Sequence, residues 1–285
     1  MDIERAPDAW LKLTHSESPY WRGGSGPDLV FVHGWPLDGR TWRDVVTHLC
    51  ADFTCHVFDL PFAGRSAWTD ETPSDVDAFT SATVEAIEAM DLRDGFGLVG
   101  HDSGGTFARL AAAKMPERIT GIALGNTEIP GYHSLRMKAL LEAARVDPLN
   151  AAFRALLGTK IGRVGAFRDC VRDLDYIERE LTPRFIAPMR DSERAFAGAM
   201  KLVQNIRIED FDLLALAHPR ITAPVHHVWG GSDAWFPLTE CREMLSSYGG
   251  EATLTVLDGY KLFVHEEAAA QFAAEVSSFF QEVAG

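Results

Sequence analysis

One short stretch of the chain combines a carboxylate with a frame of glycines. Gly100 and Gly104 flank Asp102, two residues away on either side. The apolar run from Gly95 to Val99 precedes this stretch and is typical of a buried strand, whereas Thr106 to Met115 has the periodicity of a helix. A strand, a sharp turn between glycines and a helix form the context of a nucleophile elbow, whose central residue sits at a strained tip. The spacing therefore predicts that Asp102 is a nucleophile.

An aspartate at such a turn suggests a particular chemistry. Its carboxylate is ionised at neutral pH and can attack without a base that removes a proton. It suits displacement of halide from a saturated carbon, or epoxide opening, and both give an alkyl ester that only an activated water hydrolyses. Asp102 could instead cap the following helix. Ser103 could instead be the nucleophile. The residues two positions before and after it would then be His101 and Gly105, and a histidine fits beside a strained turn less well than a glycine.

Apolar runs typical of strands alternate with helix-like stretches through most of the chain. These runs are Leu29–Val32, Cys55–Leu60, Gly95–Val99, Ile119–Leu124, Val225–Trp229 and Ala252–Leu257. Such alternation predicts an α/β fold with a parallel sheet. The rhythm breaks where only helical periodicity is found, so we expect a core in two parts, 1–128 and 216–285, with a helical cap at 129–215.

Four motifs along the chain resemble those of the α/β-hydrolase superfamily. They are His33-Gly34-Trp35-Pro36, Asp59-Leu60-Pro61 with Gly64-Arg65-Ser66, Gly100-x-Asp102-x-Gly104, and Gly230-x-x-Asp233. The resemblance covers nearly the whole chain and implies the α/β-hydrolase fold, with the helical block as its cap. Aspartate at the elbow resembles haloalkane dehalogenases, fluoroacetate dehalogenases and epoxide hydrolases, rather than esterases and lipases.

The resemblance also implies roles for individual residues. The backbone N–H groups of Trp35 and Ser103 match the oxyanion hole, and Asp233 matches the acid that orients the catalytic histidine. The family usually carries that histidine after the last strand, in the order glycine, histidine, aromatic residue, two residues and glutamate. Phe263 and the pair Glu266-Glu267 align with this pattern, which puts Lys261 on the glycine and Leu262 on the histidine.

The missing histidine leaves three interpretations of the second step. In the first, His265, three residues further on, is a base displaced along the chain. In the second, Lys261 pairs with Asp102 or Asp233, or acts with a lowered pKa if it is buried. Alternatively, the site does not hydrolyse its ester at all.

Other residues are candidates for the substrate pocket by resemblance. His33 belongs to the oxyanion loop, Glu128 follows a strand, and Tyr132 and Tyr176 could match the tyrosines that hold an epoxide oxygen. We expect Lys261 and Leu262 nearby. Dehalogenases often bind halide with a tryptophan after the nucleophile, a place that Ser103 takes here. The tryptophans that could substitute are Trp35, Trp229 and Trp235.

Composition narrows the class of partner. The net charge of −14 disfavours nucleic acid and anionic membrane surfaces. Four cysteines are scattered without metal-type spacing, and we find neither a signal peptide nor an apolar run of bilayer length. We therefore expect a cytoplasmic protein with a small-molecule substrate and no cofactor or metal, and the sequence leaves a homodimer open.

Three functions follow from these residues. The first is a cofactor-free hydrolase of a small apolar electrophile, with a carbon–halide bond or an epoxide, acting through Asp102 and an alkyl-enzyme ester. The second is an altered protein of this fold that binds a ligand or performs non-hydrolytic chemistry. The third is an esterase or lactonase that uses Ser103.

Overall fold

A single twisted sheet forms the centre of the protein in the computed structural model, which describes residues 1–284. Its nine strands are β1 (Ala9–Lys12), β2 (Ser16–Gly24), β3 (Asp28–Val32), β4 (Thr54–Phe58), β5 (Ala67–Trp68), β6 (Phe96–Gly100), β7 (Ile119–Leu124), β8 (Val225–Gly230) and β9 (Ala252–Leu257). The order is β1-β2-β4-β3-β6-β7-β8-β9, with β5 paired to β2. β1, β2 and β5 pair antiparallel, and the others pair parallel. The predicted α/β fold is confirmed.

Helices cover both faces of this sheet. They are α1 (Arg43–Leu49), α2 (Val76–Ala89), α3 (Ser103–Lys114), α4 (Leu135–Ala144), α5 (Asp147–Leu156), α6 (Lys160–Phe167), α7 (Leu174–Tyr176), a π-helix (Ile177–Ile186), α8 (Ala187–Asp191), α9 (Glu193–Asn205), α10 (Leu213–Ala217), α11 (Leu238–Met244), α12 (Val264–Glu267) and α13 (Ala269–Ala284). Short 3₁₀ turns occur at Gly39–Trp42, Pro116–Arg118, Ile208–Asp212, His218–Arg220 and Leu245–Ser247.

The apolar run of β3 shows why the central strands lack a polar face. Leu29 and Phe31 belong to the core shared with α1 and α13, whereas Val30 and Val32 belong to the core on the opposite face. Successive side chains of a strand point to opposite faces, so a strand covered on both sides is apolar throughout.

A helical segment, which we define as residues 135–217, connects β7 to β8 and holds no strand among the residues described. Hydrogen bonds join it to the sheet domain near the elbow. The indole N–H of Trp35 donates to Ala199 O at 2.7 Å, and the N–H of Phe263 donates to Cys170 O at 2.8 Å. The segment thus covers the carboxyl ends of the central strands, where the elbow lies.

The elbow itself joins β6 to α3. Asp102 has φ 50° and ψ −140°, a strained conformation for a residue with a side chain. In the parallel sheet Val32 pairs with Gly100, so the loops that follow β3 and β6 meet. A Cβ on Gly104 would lie 2.3 Å from His33 O, and one on Gly34 would lie 2.5 Å from the Asp102 Cβ. Glycine is required at both places because the two backbones approach so closely.

We expect Gly104→Ala to lower the free energy of unfolding by about 3 kcal/mol or more, because its methyl group overlaps backbone that cannot move away. Gly165→Ala is a matched control, since a Cβ on this exposed glycine of α6 meets nothing within 4 Å. That change should raise stability by about 0.5–1 kcal/mol through helix propensity. Urea unfolding measures both. Equal effects of the two substitutions would contradict the close approach at the elbow.

Candidate active site

Asp102 is held at the elbow by contacts to its backbone and side chain. The N–H of Trp35 donates to Asp102 Oδ2 at 2.8 Å. On the main chain, Asp102 N–H donates to Asn126 O at 2.7 Å, and Thr127 Oγ1 donates to Asp102 O at 2.7 Å. Only 7% of the residue is exposed. One carboxylate oxygen therefore sits at the predicted oxyanion hole.

The surroundings of Asp102 oppose its negative charge. Burial raises the pKa of Asp102 well above its usual range, and the charge of Glu128 raises it further. The backbone N–H groups of Ser103 and Trp35 act in the opposite direction. Glu128 itself accepts from Thr106 Oγ1 at 2.8 Å, beneath the elbow, and does not line the cavity described next. Its effect on Asp102 is electrostatic.

A cavity of about 170 Å³ opens at Asp102, and we call it the Asp102 cavity. Its lining residues are Trp35, Pro36, Asp102, Met137, Leu140, Phe153, Ala166, Phe167, Cys170, Trp235, Phe236, Leu262 and Phe263. Apart from the Asp102 carboxyl, the Cys170 thiol and the Trp35 and Trp235 indole N–H groups, these side chains are apolar. Such a site suits a small, largely apolar ligand.

Leu262 lies in the wall of this cavity together with Asp102 and is 6% exposed. The residue that the motif aligns with the catalytic histidine thus lies in the same cavity wall as Asp102. An isobutyl side chain there neither accepts nor donates a proton. The cavity is more apolar at this point than a histidine would make it.

His265 is placed elsewhere, and the geometry does not support it as a displaced base. It is fully buried, and its Nε2 lies 2.7 Å from Thr41 Oγ1. The centre of its ring lies 4.0 Å from that of His101 and 4.7 Å from that of Trp42, with the ring planes tilted against each other. Burial, together with His101 and Arg43, holds the pKa of His265 well below its usual range. It is a neutral packing residue behind the elbow.

Asp233 keeps the environment of an acid that orients a partner. Its Oδ1 accepts from Trp235 N at 2.8 Å, and its Oδ2 accepts from Asn126 Nδ2 at 2.9 Å. Asn126 also bonds the backbone of Gly230 at the end of β8, which fixes the turn. Burial raises the pKa of Asp233 to about 7, against the effect of these donors. The hydrogen-bond partners of Asp233 are thus Asn126 and the backbone of Trp235.

Four weaker candidates lie outside the Asp102 cavity. Lys261 Nζ donates to Arg168 O at 2.6 Å. Tyr176 is buried, and its hydroxyl donates to Glu266 Oε2 at 2.7 Å. Tyr132 packs beside the core, and His33 accepts from Leu60 N at 2.9 Å. None of the four is among the residues that line the cavity at Asp102. Their predicted contacts with substrate there are not supported.

His33 and Ser103 instead line a second cavity, of about 290 Å³, which we call the Ser103 cavity. Ser103 Oγ accepts from Trp35 N at 3.1 Å, so this hydroxyl shares a donor with Asp102. Trp35 and Pro36 line both cavities.

Several residues of the Asp102 cavity were missed by sequence reasoning. They are Met137, Leu140, Phe153, Ala166, Phe167 and Cys170. All belong to the helical segment or the turn that follows α6, where helical periodicity shows which residues are apolar but not which of them meet the elbow. Burial and the charges of Asp233 and Asp102 raise the pKa of Cys170, so it remains a thiol.

Two further findings concern the chain as described. Within residues 1–284 no helix is both long and apolar enough to cross a membrane. The same residues do not bring together three or more His, Cys, Asp or Glu side chains in an arrangement that could hold a metal ion.

Comparison with known families decides the identity of the fold. A sequence model of the α/β hydrolase fold matches residues 27–267. The chain belongs to the α/β-hydrolase family. This α/β-hydrolase has a carboxylate at the elbow and a leucine where the motif has histidine.

Individual relatives differ in chemistry. A pimeloyl-(acyl-carrier protein) methyl ester esterase from Vibrio atlanticus is 53% identical over 53 residues, 18% of this chain and only 20% of that protein. Haloalkane dehalogenase 2 from Mycobacterium bovis is 24% identical over 295 residues, 98% of this chain and 100% of that protein. The crystal structure of a haloalkane dehalogenase from Bradyrhizobium elkani has a TM-score of 0.81 at 15% identity, over 96% of this chain and 97% of that one. These likenesses establish the fold.

The raised pKa of Asp233 makes stability depend on pH. An unfolded aspartate ionises near pH 4, whereas Asp233 in the folded protein ionises near pH 7, so stability falls as pH rises between these values. Through Asp233, the native protein should lose roughly 2.5 kcal/mol of unfolding free energy between pH 5 and pH 8. We expect Asp233→Asn to remove this part of the loss. Urea unfolding at the two pH values measures it. An unchanged pH dependence would show that Asp233 is ionised throughout.

Proposed function

We propose that this protein attacks small haloalkanes through Asp102 and retains the alkyl group as an ester on that carboxylate. The observation that carries the proposal is the placement of Asp102, with Oδ2 on the Trp35 N–H at 2.8 Å and the carboxylate in the wall of an apolar cavity. In the first step an Asp102 oxygen forms a bond to carbon, the carbon–halogen bond breaks, and halide leaves with the electron pair. That step needs no proton transfer.

The donors around the cavity favour a halide over an epoxide. Trp35 and Trp229 use their indole N–H groups on Ala199 O and Phe236 O. Trp235 lines the cavity, and within the described part of the chain its buried Nε1 bonds no oxygen or nitrogen and has only the Cys170 thiol beside it. This N–H is available for a departing halide. An opened epoxide would need a proton for its alkoxide, and the two candidate tyrosines lie outside the cavity.

Release of the product is the step that this site lacks. Hydrolysis of the ester requires a base that activates water, a contribution of about 10²- to 10⁴-fold. In this proposal Leu262 stands where the motif has that base. His265 cannot replace it, because contacts with Thr41 and Trp42 hold its ring behind the elbow. The proposed activity is therefore attack by the ionised form of Asp102, followed by slower turnover.

Incubation with 1-bromobutane should add one butyl group to the protein. Intact mass spectrometry follows the adduct, and peptide mapping should assign it to Asp102. The rate should rise with pH, by about tenfold per unit below the raised pKa, because only the ionised form attacks. Styrene oxide should react more slowly.

Asp102→Asn is the control, since it keeps the shape of the side chain and removes the nucleophile. A butyl adduct that persists in this variant, or a failure of the native protein to react with a panel of haloalkanes, would overturn the proposal. Labelling of Ser103 by a fluorophosphonate would favour the esterase alternative instead.

Restoring the histidine should restore turnover. In Leu262→His the new imidazole would stand in the cavity wall that also contains Asp102, at the position that the motif pairs with Asp233. We expect bromide release to continue beyond one equivalent, at least 100-fold faster than in the native protein, while the adduct no longer accumulates. Leu262→Gln, which is polar but not basic, should leave the adduct in place. Accumulation of the adduct in a folded Leu262→His protein would contradict the assignment of this position.

A further inference from the structure

The Ser103 cavity is larger than the site at Asp102 and lies beside it. Its wall combines the loops that follow β3 and β4 with α2, α8 and α9. The apolar residues that line it include Leu37, Leu60, Phe62, Trp68, Phe79, Phe185, Met189 and Leu202. Aromatic and aliphatic side chains from both the sheet domain and the helical segment thus enclose about 290 Å³.

The charged groups of this wall are already engaged. Arg40 pairs with Asp38 at 2.7 Å, Arg65 donates to the backbone oxygens of Arg5 and Glu4, and Arg194 donates to Trp68 O. Because these guanidinium groups have partners, the cavity suits an apolar chain better than an anion.

Trp35 and Pro36 are the residues that the two cavities share. Of the neighbouring elbow residues, Asp102 lines one cavity and Ser103 the other, and both side chains accept from the Trp35 N–H. The ring of Trp35 is held against α9, because its indole N–H donates at 2.7 Å to the backbone oxygen of Ala199, which also lines the Ser103 cavity. A closely packed helix holds the acceptor, since a Cβ on Gly198 would lie 2.6 Å from Phe62 O.

We propose that the Ser103 cavity is a second binding site for an aliphatic or aryl chain, and that the Trp35 ring separates it from Asp102. The ring is then the residue that limits ligand length at Asp102. The main-chain N–H of residue 35 donates to the Asp102 carboxylate whatever side chain this residue carries. Substitution of the side chain therefore tests the limit on ligand length separately from the main-chain donor. This inference rests on the proposed function only in taking Asp102 as the reacting end.

Binding without reaction tests the partition. In an Asp102→Asn background, calorimetry would compare primary alcohols from 1-butanol to 1-decanol. Each methylene that enters an apolar site tightens binding by about fourfold. When Trp35 is present, we expect the affinity to stop rising at a short alcohol length. Adding Trp35→Ala should let it continue, so that 1-decanol binds at least tenfold more tightly than it does with the ring in place.

Two variants identify the cause. Trp35→Phe keeps a ring but loses the bond to Ala199, and it should leave the length limit nearly unchanged. Ala195→Leu fills the Ser103 cavity alone, and with Trp35→Ala it should abolish the gain for 1-decanol while 1-butanol still binds. Thermal unfolding checks that each variant is folded.

The outcomes separate this inference from the proposed function. An unchanged length limit in the Trp35→Ala protein, or a gain that survives Ala195→Leu, overturns the partition while leaving attack by Asp102 intact. If the Asp102→Asn protein does not bind even 1-butanol, the Asp102 cavity is not a ligand site, and both proposals fail.

Discussion

The approach of the loop after β3 to the elbow is the constraint on which the site depends. The Trp35 N–H reaches Asp102 Oδ2 only because Gly34 and Gly104 leave room for backbone against backbone. The parallel pairing of β3 with β6 sets the two loops side by side, and α3 begins immediately after the strained residue. Any side chain in this contact would push the donor away from the carboxylate. The position of the Asp102 carboxylate at its donor therefore depends on direct backbone contact among three main-chain segments.

Position 262 and position 265 show how three residues of separation change the surroundings of a side chain. Leu262 precedes α12 and faces the cavity, whereas His265 lies within that helix and faces Thr41, Trp42 and His101. A histidine with no charged partner in this apolar layer stays neutral, because burial disfavours the protonated ring. Proximity along the chain does not replace the lost base.

These residues also indicate how far the sequence could be interpreted. The glycine spacing around Asp102, the apolar runs of the central strands and the leucine in place of histidine are local patterns. The structure forms the predicted central strands and has a strained turn at Asp102. Contacts across the fold were harder to predict. Nothing in the motif reveals that Tyr176 bonds to Glu266, or that Cys170 reaches the elbow, because both depend on how the helical segment packs. Helical periodicity identifies apolar faces but not their partners.

The carboxylates around the elbow affect the energy of the ester as well as the attack. Asp102 is buried near Glu128 and Asp233, and like charges in an apolar site repel one another. In the proposed reaction, alkylation of the ionised form would convert Asp102 into a neutral ester, which suits the apolar wall formed by Leu262 and Phe263. Hydrolysis would restore an acid whose raised pKa favours its protonated form. The environment of Asp102 thus favours its two neutral forms, the acid and the ester, over the carboxylate that has to attack.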